Sequence, residues 1–490
     1  MGAAKLRNYI GGEWVEAQTV EYAEVIDPAR GKLLARVPLS TSADVERAVK
    51  SAAEAFPDWR NTPPAARARY LFRLKELMED RFDELAEIQT REHGKTIDES
   101  RGETRRGIEQ VEVASAIPTL MQGCNLEDIA AAGIDEHCFF QPVGVFSHIA
   151  PFNFPFMAPL WFVPYAIAAG NTFVVKPSPR VPLSQTRVVE LFEEIDLPPG
   201  VLNMVHGANE ATNAILHHPD VAGVTFVGST AVGRDIIYKS CGETGKRVIA
   251  QCGAKNFIVV LEDCDLEKSM AGLMTSFFGN TGQRCLAGAN LVLVGSDSFR
   301  QRAVDAFIGA AAAIRVGDGM DGSVQMGPLQ NAASKQRVIG YIETGIREGA
   351  QLALDGRKLR LSDPDLPQDC FLNPSVFVDV TPQMTIAREE IFGPVACILR
   401  AADLDQAIDM IHESPYGNSA AIYTSSGRAA QKFRHDVKCG NIGVNVGVPA
   451  PMAFFPFGGM KDSFFGSLHG QGKDAIRSFT DPKVVVERWF

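Results

Sequence analysis

The sequence predicts an α/β fold with a doubly wound parallel sheet, a second α/β domain and a small β flap. Three observations support this class. The chain has 490 residues, strand-like and helix-like segments alternate after Pro142, and the stretch from Lys483 to Phe490 is rich in β-forming side chains. A chain of this length exceeds one ordinary core, so two or more domains are expected.

Short strands and long helices are predicted before residue 142. Apolar side chains recur at three-to-four spacing from Val45 to Ala52, and similar patterns predict helices over 65–92 and 97–121.

From residue 143 onward the predicted elements alternate regularly. Strands are predicted at Val143–Ile149, Thr172–Val175, Val201–Met204 and Val224–Val227, and helices at Met157–Ala169, Ser184–Glu194, Glu210–His217 and Ala231–Lys239. Alternation at this pitch predicts a parallel, doubly wound sheet, which binds ligands at the carboxyl ends of its strands. A second α/β block is predicted from Gln251 to Asn445.

Composition argues against several kinds of partner. The 48 basic and 59 acidic residues give a net charge of −11, which disfavours binding to nucleic acid or to an anionic membrane. The stretch from Val143 to Val175 has no charged side chain, but prolines interrupt it every four or five residues. It therefore predicts buried core and not a membrane span.

The N-terminus and the cysteines favour a cytoplasmic protein. Met1–Arg7 has no apolar core of a signal peptide, and the nine cysteines are scattered without a C-x-x-C pair, which argues against a disulfide framework. The nine histidines have no metal-binding spacing, so no metal site is expected.

A strand, turn and helix in succession predict a phosphate site. Val224–Val227 runs into Gly228-Ser229-Thr230 and then a helix, which presents free N–H groups and the positive end of a helix dipole. Such a turn is a weak signal alone. Lys176-Pro177-Ser178 adds a cation at the end of a neighbouring strand.

Cys285 lies in a window with the features of a reactive thiol. The window Phe278–Ala287 places two glycines and Arg284 before the cysteine, and an apolar strand follows. Glycines and a nearby cation favour an exposed cysteine with a lowered pKa. The window itself fits a buried structural cysteine equally well.

Five motifs resemble those of the aldehyde dehydrogenase superfamily in order and spacing, and the resemblance extends over essentially the whole chain. They are Ile149-Ala150-Pro151-Phe152-Asn153-Phe154-Pro155, Lys176-Pro177-Ser178, Phe226-Val227-Gly228-Ser229, Gly282-Gln283-Arg284-Cys285 and Glu389-Glu390-Ile391-Phe392-Gly393-Pro394. The resemblance implies three structural units. Residues 1–120 and 142–250 would form a dinucleotide-binding domain, 251–445 a catalytic domain, and 121–141 with 475–490 an oligomerisation segment of a dimer or tetramer.

The resemblance also implies roles for individual residues. Cys285 is expected to attack the aldehyde carbonyl, with the Asn153 side chain and the Cys285 backbone N–H forming the oxyanion hole. Lys176 and Ser178 would contact the adenosine ribose, Ser229 the pyrophosphate, and Glu390 with Phe392 the nicotinamide ribose. The complete set expected to bind the cofactor is Ala150, Phe152, Lys176, Ser178, Arg180, Ser229, Glu390 and Phe392.

Gln251 separates this chain from the hydrolytic members of the superfamily. Those enzymes carry a Glu-Leu-Gly-Gly-Lys type motif whose Glu activates water, whereas this chain has Gln251-Cys252-Gly253-Ala254-Lys255. An amide cannot accept a proton at neutral pH. A different acyl acceptor is therefore expected, and the thiol of coenzyme A is suitable because a thiolate is a far better nucleophile than water.

Two arginines and the C-terminal motifs are similar to those of the CoA-acylating methylmalonate-semialdehyde dehydrogenases. Arg106 and Arg284 match arginines that hold the substrate carboxylate in that subfamily, and guanidinium binds carboxylate in a bidentate manner. The segments 415–418, 456–466 and 472–474 also resemble it. The expected reaction converts malonate or methylmalonate semialdehyde, NAD and CoA to an acyl-CoA, NADH and CO₂.

Three alternatives stay open from the sequence. Pro179 stands where the family usually has Glu, so the repulsion between that carboxylate and the 2′-phosphate of NADP is lost. Arg180 and Lys176 could attract this phosphate. NAD is expected as the first cofactor and NADP as the second. The enzyme could instead oxidise a plain aliphatic or aromatic aldehyde to a free acid. A non-catalytic member is the third alternative, although Cys285 and Asn153 are both retained.

Overall fold

Five β-sheets with flanking helices make up residues 4–490, the part of the chain that the computed structural model describes. The strands are β1 (Ala4–Lys5), β2 (Asn8–Ile10), β3 (Glu13–Val15), β4 (Tyr22–Asp27), β5 (Lys32–Pro38), β6 (Cys124–Leu126), β7 (Ile134–Pro142), β8 (Val145–Ile149), β9 (Thr172–Lys176), β10 (Leu202–Met204), β11 (Val221–Val227), β12 (Arg247–Gln251), β13 (Asn256–Leu261), β14 (Gly288–Val294), β15 (Gln351–Leu354), β16 (Ser375–Val378), β17 (Val395–Ala401), β18 (Tyr416–Gly417), β19 (Ser419–Tyr423), β20 (Asn441–Val444), β21 (Met460–Lys461), β22 (Phe464–Gly466) and β23 (Thr480–Arg488).

The helices lie between these strands. They are α1 (Ser42–Asn61), α2 (Pro64–Asp80), α3 (Phe82–His93), α4 (Ile97–Ser115), α5 (Ile117–Leu120), α6 (Met157–Leu160), α7 (Val163–Ala169), α8 (Leu183–Glu194), α9 (Asn209–His217), α10 (Thr230–Val232), α11 (Lys239–Thr244), α12 (Leu266–Phe278), α13 (Asp297–Ala312), α14 (Ala332–Arg347), α15 (Thr385–Arg388), α16 (Leu404–Glu413), α17 (Gly427–Asp436) and α18 (Gly472–Ser478). A π-helical segment, Gly233–Tyr238, joins α10 to α11, and a 3₁₀ turn covers Gly279–Gly282.

The first large sheet is doubly wound around β8. Its order is β22-β12-β11-β8-β9-β10-β2-β3, and the five strands from β12 to β10 are parallel. The chain passes from β8 through β9 to β10 on one side and then returns to add β11 and β12 on the other side. The connections that follow β8 and β11 therefore diverge, which opens a crevice at the carboxyl ends of these two strands.

The second large sheet places the cysteine window beside that crevice. Its order is β15-β16-β17-β14-β13-β19-β20, and all its strands are parallel except the edge strand β15. β14, which follows Cys285 closely, lies in the middle of the sheet. Strands that are covered on both faces are mostly apolar, as β14 and β17 are, with Asn290 and Arg400 as their polar residues.

A three-stranded flap brings together the two ranges of the predicted oligomerisation segment, 121–141 and 475–490. β7 pairs with β23 over nine residues on one side and with β6 on the other. Both Val484 and Val486 of β23 are about 60% exposed, at 63% and 61%. The outer edge of β23 has no strand partner among residues 4–490.

The structure confirms the predicted α/β class and adjusts several predicted bounds. The run predicted as one helix over 65–92 is two helices with a break at Arg81. The helix predicted over Met157–Ala169 is also divided, because Pro164 lacks the N–H that a continuous helix requires and lies instead in the first turn of α7. The domain boundaries remain a prediction. No helix in the described range is both long and apolar enough to span a bilayer.

Candidate active site

Two cavities meet at Cys285. The larger, about 610 Å³, lies at the crevice beside β8 and β11, and the smaller, about 430 Å³, lies beneath α4. Within the window Phe278–Ala287, Cys285 is the residue that lines both cavities. A sulfur in this position can contact one ligand from each side.

The larger cavity gathers most of the residues predicted to bind the cofactor. Its lining includes Ala150, Phe152, Asn153, Ser178, Arg180, Gly228, Ser229, Glu390 and Phe392. Gly228 has to be small, because a Cβ there would lie 2.4 Å from the Phe226 ring. Ser229 then precedes a continuous helix from residue 230 to 244, whose N-terminal N–H groups suit an anion.

Lys176 differs from the other predicted cofactor contacts because it is not part of that lining. Its side chain is buried, and its ammonium donates to the carbonyls of Pro177 and Gly207 at 3.2 and 3.1 Å. Burial lowers the pKa of Lys176 to about 8. The ammonium must leave these carbonyls before it can reach a ligand in the cavity.

Phe152 forms an aromatic wall of the larger cavity. Its ring lies 5.8 Å from that of Phe392 in an edge-to-face arrangement and stacks on His93 at 6.1 Å. The Arg180 guanidinium lies 5.4 Å from the centre of the same ring. Burial and the nearby positive charge of Arg337 lower the pKa of Arg180, so two guanidinium groups lie close together in this cavity.

Asn153 is connected directly to the turn that precedes Cys285. Its Nδ2 donates to the Gln283 carbonyl at 2.9 Å. An amide nitrogen carries two hydrogens, so the second N–H is available to a ligand in the cavity. The Asn153 backbone carbonyl accepts from Lys95 Nζ at 2.6 Å and from Asn280 Nδ2 at 3.2 Å.

A buried ion pair supports the loop that carries Asn153. Lys95 and Glu103 lie 2.6 Å apart, and each side chain is 1% exposed. Glu103 also accepts from the backbone N–H groups of Phe156 and Met157, both at 3.0 Å. Removing one partner would leave a buried charge without compensation, so the pair fixes this loop.

The turn before Cys285 has an unusual backbone conformation. Asn280 and Thr281 have φ values of 52° and 55°, in the left-handed region that β-branched residues rarely adopt. Gly282 follows at φ 70°, where a Cβ would lie 2.2 Å from the Gly393 carbonyl oxygen. Asn256 and Asn418 hold the far side of the turn, because each donates to the Cys285 carbonyl at 2.8 Å.

The Cys285 thiol differs from the exposed, lowered-pKa cysteine that the sequence window predicts. The residue is half-buried, and burial, followed by the negative charge of Glu390, raises its pKa to about 12. Arg284 does not offset this, because its guanidinium pairs with Glu99 at 3.0 Å. The thiol is therefore protonated at neutral pH.

Gln251 and Glu390 are the side chains to consider as proton acceptors. Gln251 lies in neither cavity lining, and its Nε2 donates to the Phe457 carbonyl at 2.7 Å. Glu390 lines the larger cavity, and its carboxylate accepts from the Ala254 N–H at 2.9 Å. Burial raises the pKa of Glu390 to about 7, so it can exchange a proton near neutrality.

Both arginines expected to bind substrate line the smaller cavity with Cys285. Arg106 lies 3.2 Å from Glu109, and Arg284 pairs with Glu99. The apolar part of the wall includes Phe154, Met157, Trp161, Leu286, Val448 and Phe457, and its polar part also includes Asp98, Glu99 and Glu103. The arrangement suits a small substrate with one anionic end.

Several supporting residues could not be found from the sequence. Lys95, Glu99 and Glu103 lie far from Cys285 along the chain, and a charged side chain on a helix usually faces solvent. Asn418 belongs to a segment that the resemblance does include, but its bond to Cys285 requires the structure.

Comparisons with known proteins agree with this geometry. Residues 14–485 match the Aldehyde dehydrogenase family. Malonate-semialdehyde dehydrogenase 1 of Geobacillus thermodenitrificans is 46% identical over 100% of this chain and 99% of its own length. A putative methylmalonate-semialdehyde dehydrogenase of Sinorhizobium meliloti, crystallised with NAD, superposes with a TM-score of 0.96 at 39% identity, over 100% of this chain and 98% of that chain. The methylmalonate-semialdehyde dehydrogenase of Oceanimonas doudoroffii gives 0.95 at 40% identity, over 99% and 98%.

The raised pKa of Cys285 predicts how the ligand-free protein reacts with iodoacetamide. Because only the thiolate reacts, alkylation of Cys285 should rise about tenfold per pH unit from roughly pH 7 to 10 without a plateau. Peptide mass spectrometry at timed intervals measures the rate at this residue, with the Cys285→Ser variant as control for the other cysteines. A plateau below about pH 8 would contradict the protonated thiol.

Proposed function

The chain belongs to the aldehyde dehydrogenase family, and on that premise we propose that it oxidises malonate or methylmalonate semialdehyde through a thioester on Cys285, with NAD as oxidant and coenzyme A as acyl acceptor. The observation that supports this most directly is the position of Cys285 between a cavity with two arginines and a cavity with a helix N-terminus. The relatives named as malonate-semialdehyde dehydrogenases agree with the substrate class.

The chemistry begins at the Cys285 sulfur. The thiol loses its proton, and Glu390 is an acceptor of suitable pKa in the same cavity. The sulfur adds to the aldehyde carbon, and the second N–H of Asn153 and the Cys285 backbone N–H donate to the resulting oxyanion. When the carbonyl re-forms, the carbon releases hydride and a thioester remains on Cys285.

The larger cavity fits a nicotinamide dinucleotide. Gly228 leaves room at the start of the helix at Thr230, and Ser178, Ser229 and Glu390 supply polar groups along the wall. When bound, NAD supplies the hydride acceptor. Phe152 and Phe392 supply an aromatic surface against which the nicotinamide side of the cofactor can pack.

The last step transfers the acyl group to a thiol. The β-carboxylate leaves as CO₂ from the acyl group on Cys285, a proton takes its place on carbon, and the CoA thiolate then displaces the Cys285 sulfur. Hydrolysis would need a base that activates water, and Gln251 cannot act as one. Its amide is moreover engaged with the Phe457 carbonyl.

Turnover should therefore depend on coenzyme A. With malonate semialdehyde and NAD, sustained NADH formation is expected only when CoA is present, with acetyl-CoA as the product detected by mass spectrometry. The Cys285→Ser variant should be inactive, and Cys264→Ser, a half-buried cysteine outside both cavities, should retain turnover. Sustained turnover without CoA, giving a free acid, would support the hydrolytic alternative.

Arg106 should recognise the carboxylate of the substrate. The Arg106→Leu variant should raise KM for malonate semialdehyde by tenfold or more, because a charge-assisted hydrogen bond contributes roughly 1.5–3 kcal/mol. The KM for propanal, which has no carboxylate, should change little. An equal rise for both aldehydes in steady-state assays would contradict this role.

The cofactor preference is proposed as NAD first, with NADP also accepted. Arg180 and Arg337 lie close together in the larger cavity and could share a 2′-phosphate. The wild-type kcat/KM should be higher with NAD, and Arg180→Leu should lower the NADP value by about tenfold while changing the NAD value less. A wild-type preference for NADP in the same assay would reverse this order.

Assembly into a homodimer or homotetramer is proposed through the flap. The outer edge of β23 exposes apolar side chains, and β20 is an edge strand of the second large sheet. Exposed apolar edges are rarely left unpaired in native proteins. Replacing Val484 and Val486 by Lys should shift sedimentation equilibrium toward the monomer, whereas a monomeric wild-type protein would contradict the proposal.

A further inference from the structure

Glu99 lies at the junction of the smaller cavity, the turn before Cys285 and the start of α4. Given the proposed function, we propose that Glu99 is a positioning residue with two effects. It holds the turn that aims the Cys285 sulfur, and it limits the positive charge that Arg284 offers to the substrate carboxylate.

Three bonds converge on the Glu99 carboxylate. One oxygen, Oε2, accepts from the Thr96 backbone N–H at 3.1 Å and so completes the capping box of α4. The other oxygen, Oε1, accepts from the Asn280 backbone N–H and from Arg284 Nη2, the latter at 3.0 Å. The Glu99 and Arg284 side chains are each 15% exposed, so solvent screens this contact only in part.

The bond to Asn280 holds a strained backbone. Asn280 and Thr281 both lie in the left-handed region, which is unfavourable for residues with a side chain. Thr281 is fixed by its hydroxyl, which donates to the Gly327 carbonyl at 2.9 Å, and Asn280 by Glu99. Without the Glu99 acceptor the turn can relax, and Cys285, five residues further on, would move relative to Asn153.

The bond to Arg284 sets the charge of the smaller cavity. Lys95 and Glu103 neutralise each other at 2.6 Å, so Glu99 is the carboxylate that compensates Arg284. A substrate carboxylate that approaches Arg284 must share it with Glu99. Glu99 therefore weakens the binding of anionic aldehydes and leaves Arg106 as the principal anchor.

Three variants separate the two effects. Glu99→Gln keeps an oxygen acceptor for Asn280 but removes the negative charge, whereas Glu99→Ala removes both. Glu112→Gln is the matched control, because it makes the same change on the same helix at a residue that lines neither cavity, whose side chain is 46% exposed and lies 3.5 Å from Lys75. The measurements are kcat and KM with malonate semialdehyde and with propanal, in the complete assay with NAD and CoA, and the melting temperature of each variant.

The two substitutions of Glu99 should change different kinetic constants, KM in one variant and kcat in the other. Glu99→Gln should lower KM for malonate semialdehyde about fivefold and leave kcat for propanal within about twofold. Glu99→Ala should lower kcat for propanal about tenfold or more, because the sulfur is displaced. Glu112→Gln should change neither constant by more than about twofold.

Other results would overturn the proposal in distinct ways. An unchanged KM in Glu99→Gln, or an equal fall in Glu112→Gln, would reject the effect on Arg284. Full kcat for propanal in a folded Glu99→Ala, or a loss in Glu99→Gln as large as that in Glu99→Ala, would reject the effect on the turn. If KM falls equally for propanal, the effect does not depend on the substrate carboxylate. That result would reject carboxylate recognition and with it the proposed substrate. The comparison of kcat between Glu99→Gln and Glu99→Ala would still decide whether Glu99 holds the turn.

Discussion

The hydrogen bond from Asn153 Nδ2 to the Gln283 carbonyl connects the two halves of the site, and the rest of the active site depends on it. Asn153 follows the central strand of the doubly wound sheet, and Gln283 belongs to the turn that leads into the second sheet. A bond between the two loops fixes the distance from the Asn153 side chain to Cys285. Misplacement by about 1 Å at such a point costs on the order of a hundredfold in rate, which explains why buried groups hold both loops.

The charges around the Cys285 thiol differ from those around a cysteine that is ionised at neutral pH. Cys285 is half-buried, Glu390 adds a negative charge nearby, and the adjacent guanidinium is engaged with Glu99. The thiol therefore remains protonated until its surroundings change, and the same carboxylate that raises its pKa can accept its proton. A protonated thiol reacts more slowly with oxidants and alkylating agents than a thiolate does.

Much of the site follows from the sequence, and the remainder depends on contacts between distant segments. The alternation after Pro142 predicts the doubly wound sheet, and the ordered motifs predict most of the residues that line the larger cavity. The sequence does not show that the Lys176 ammonium is bonded to two carbonyls. Nor does it show the direction of the Cys285 pKa, because Arg284 is adjacent in sequence but its charge is compensated by Glu99, 185 positions away.

In the proposed mechanism the Cys285 sulfur, which lies between the two cavities, holds the substrate carbon covalently. Mass spectrometry of the enzyme quenched with acid, after mixing with malonate semialdehyde and NAD in the absence of CoA, tests it directly. An acyl group should be found on the peptide that contains Cys285, in an amount equal to the NADH formed in the first turnover. Stoichiometric NADH without an adduct on that peptide, or an adduct on another cysteine, would contradict the account.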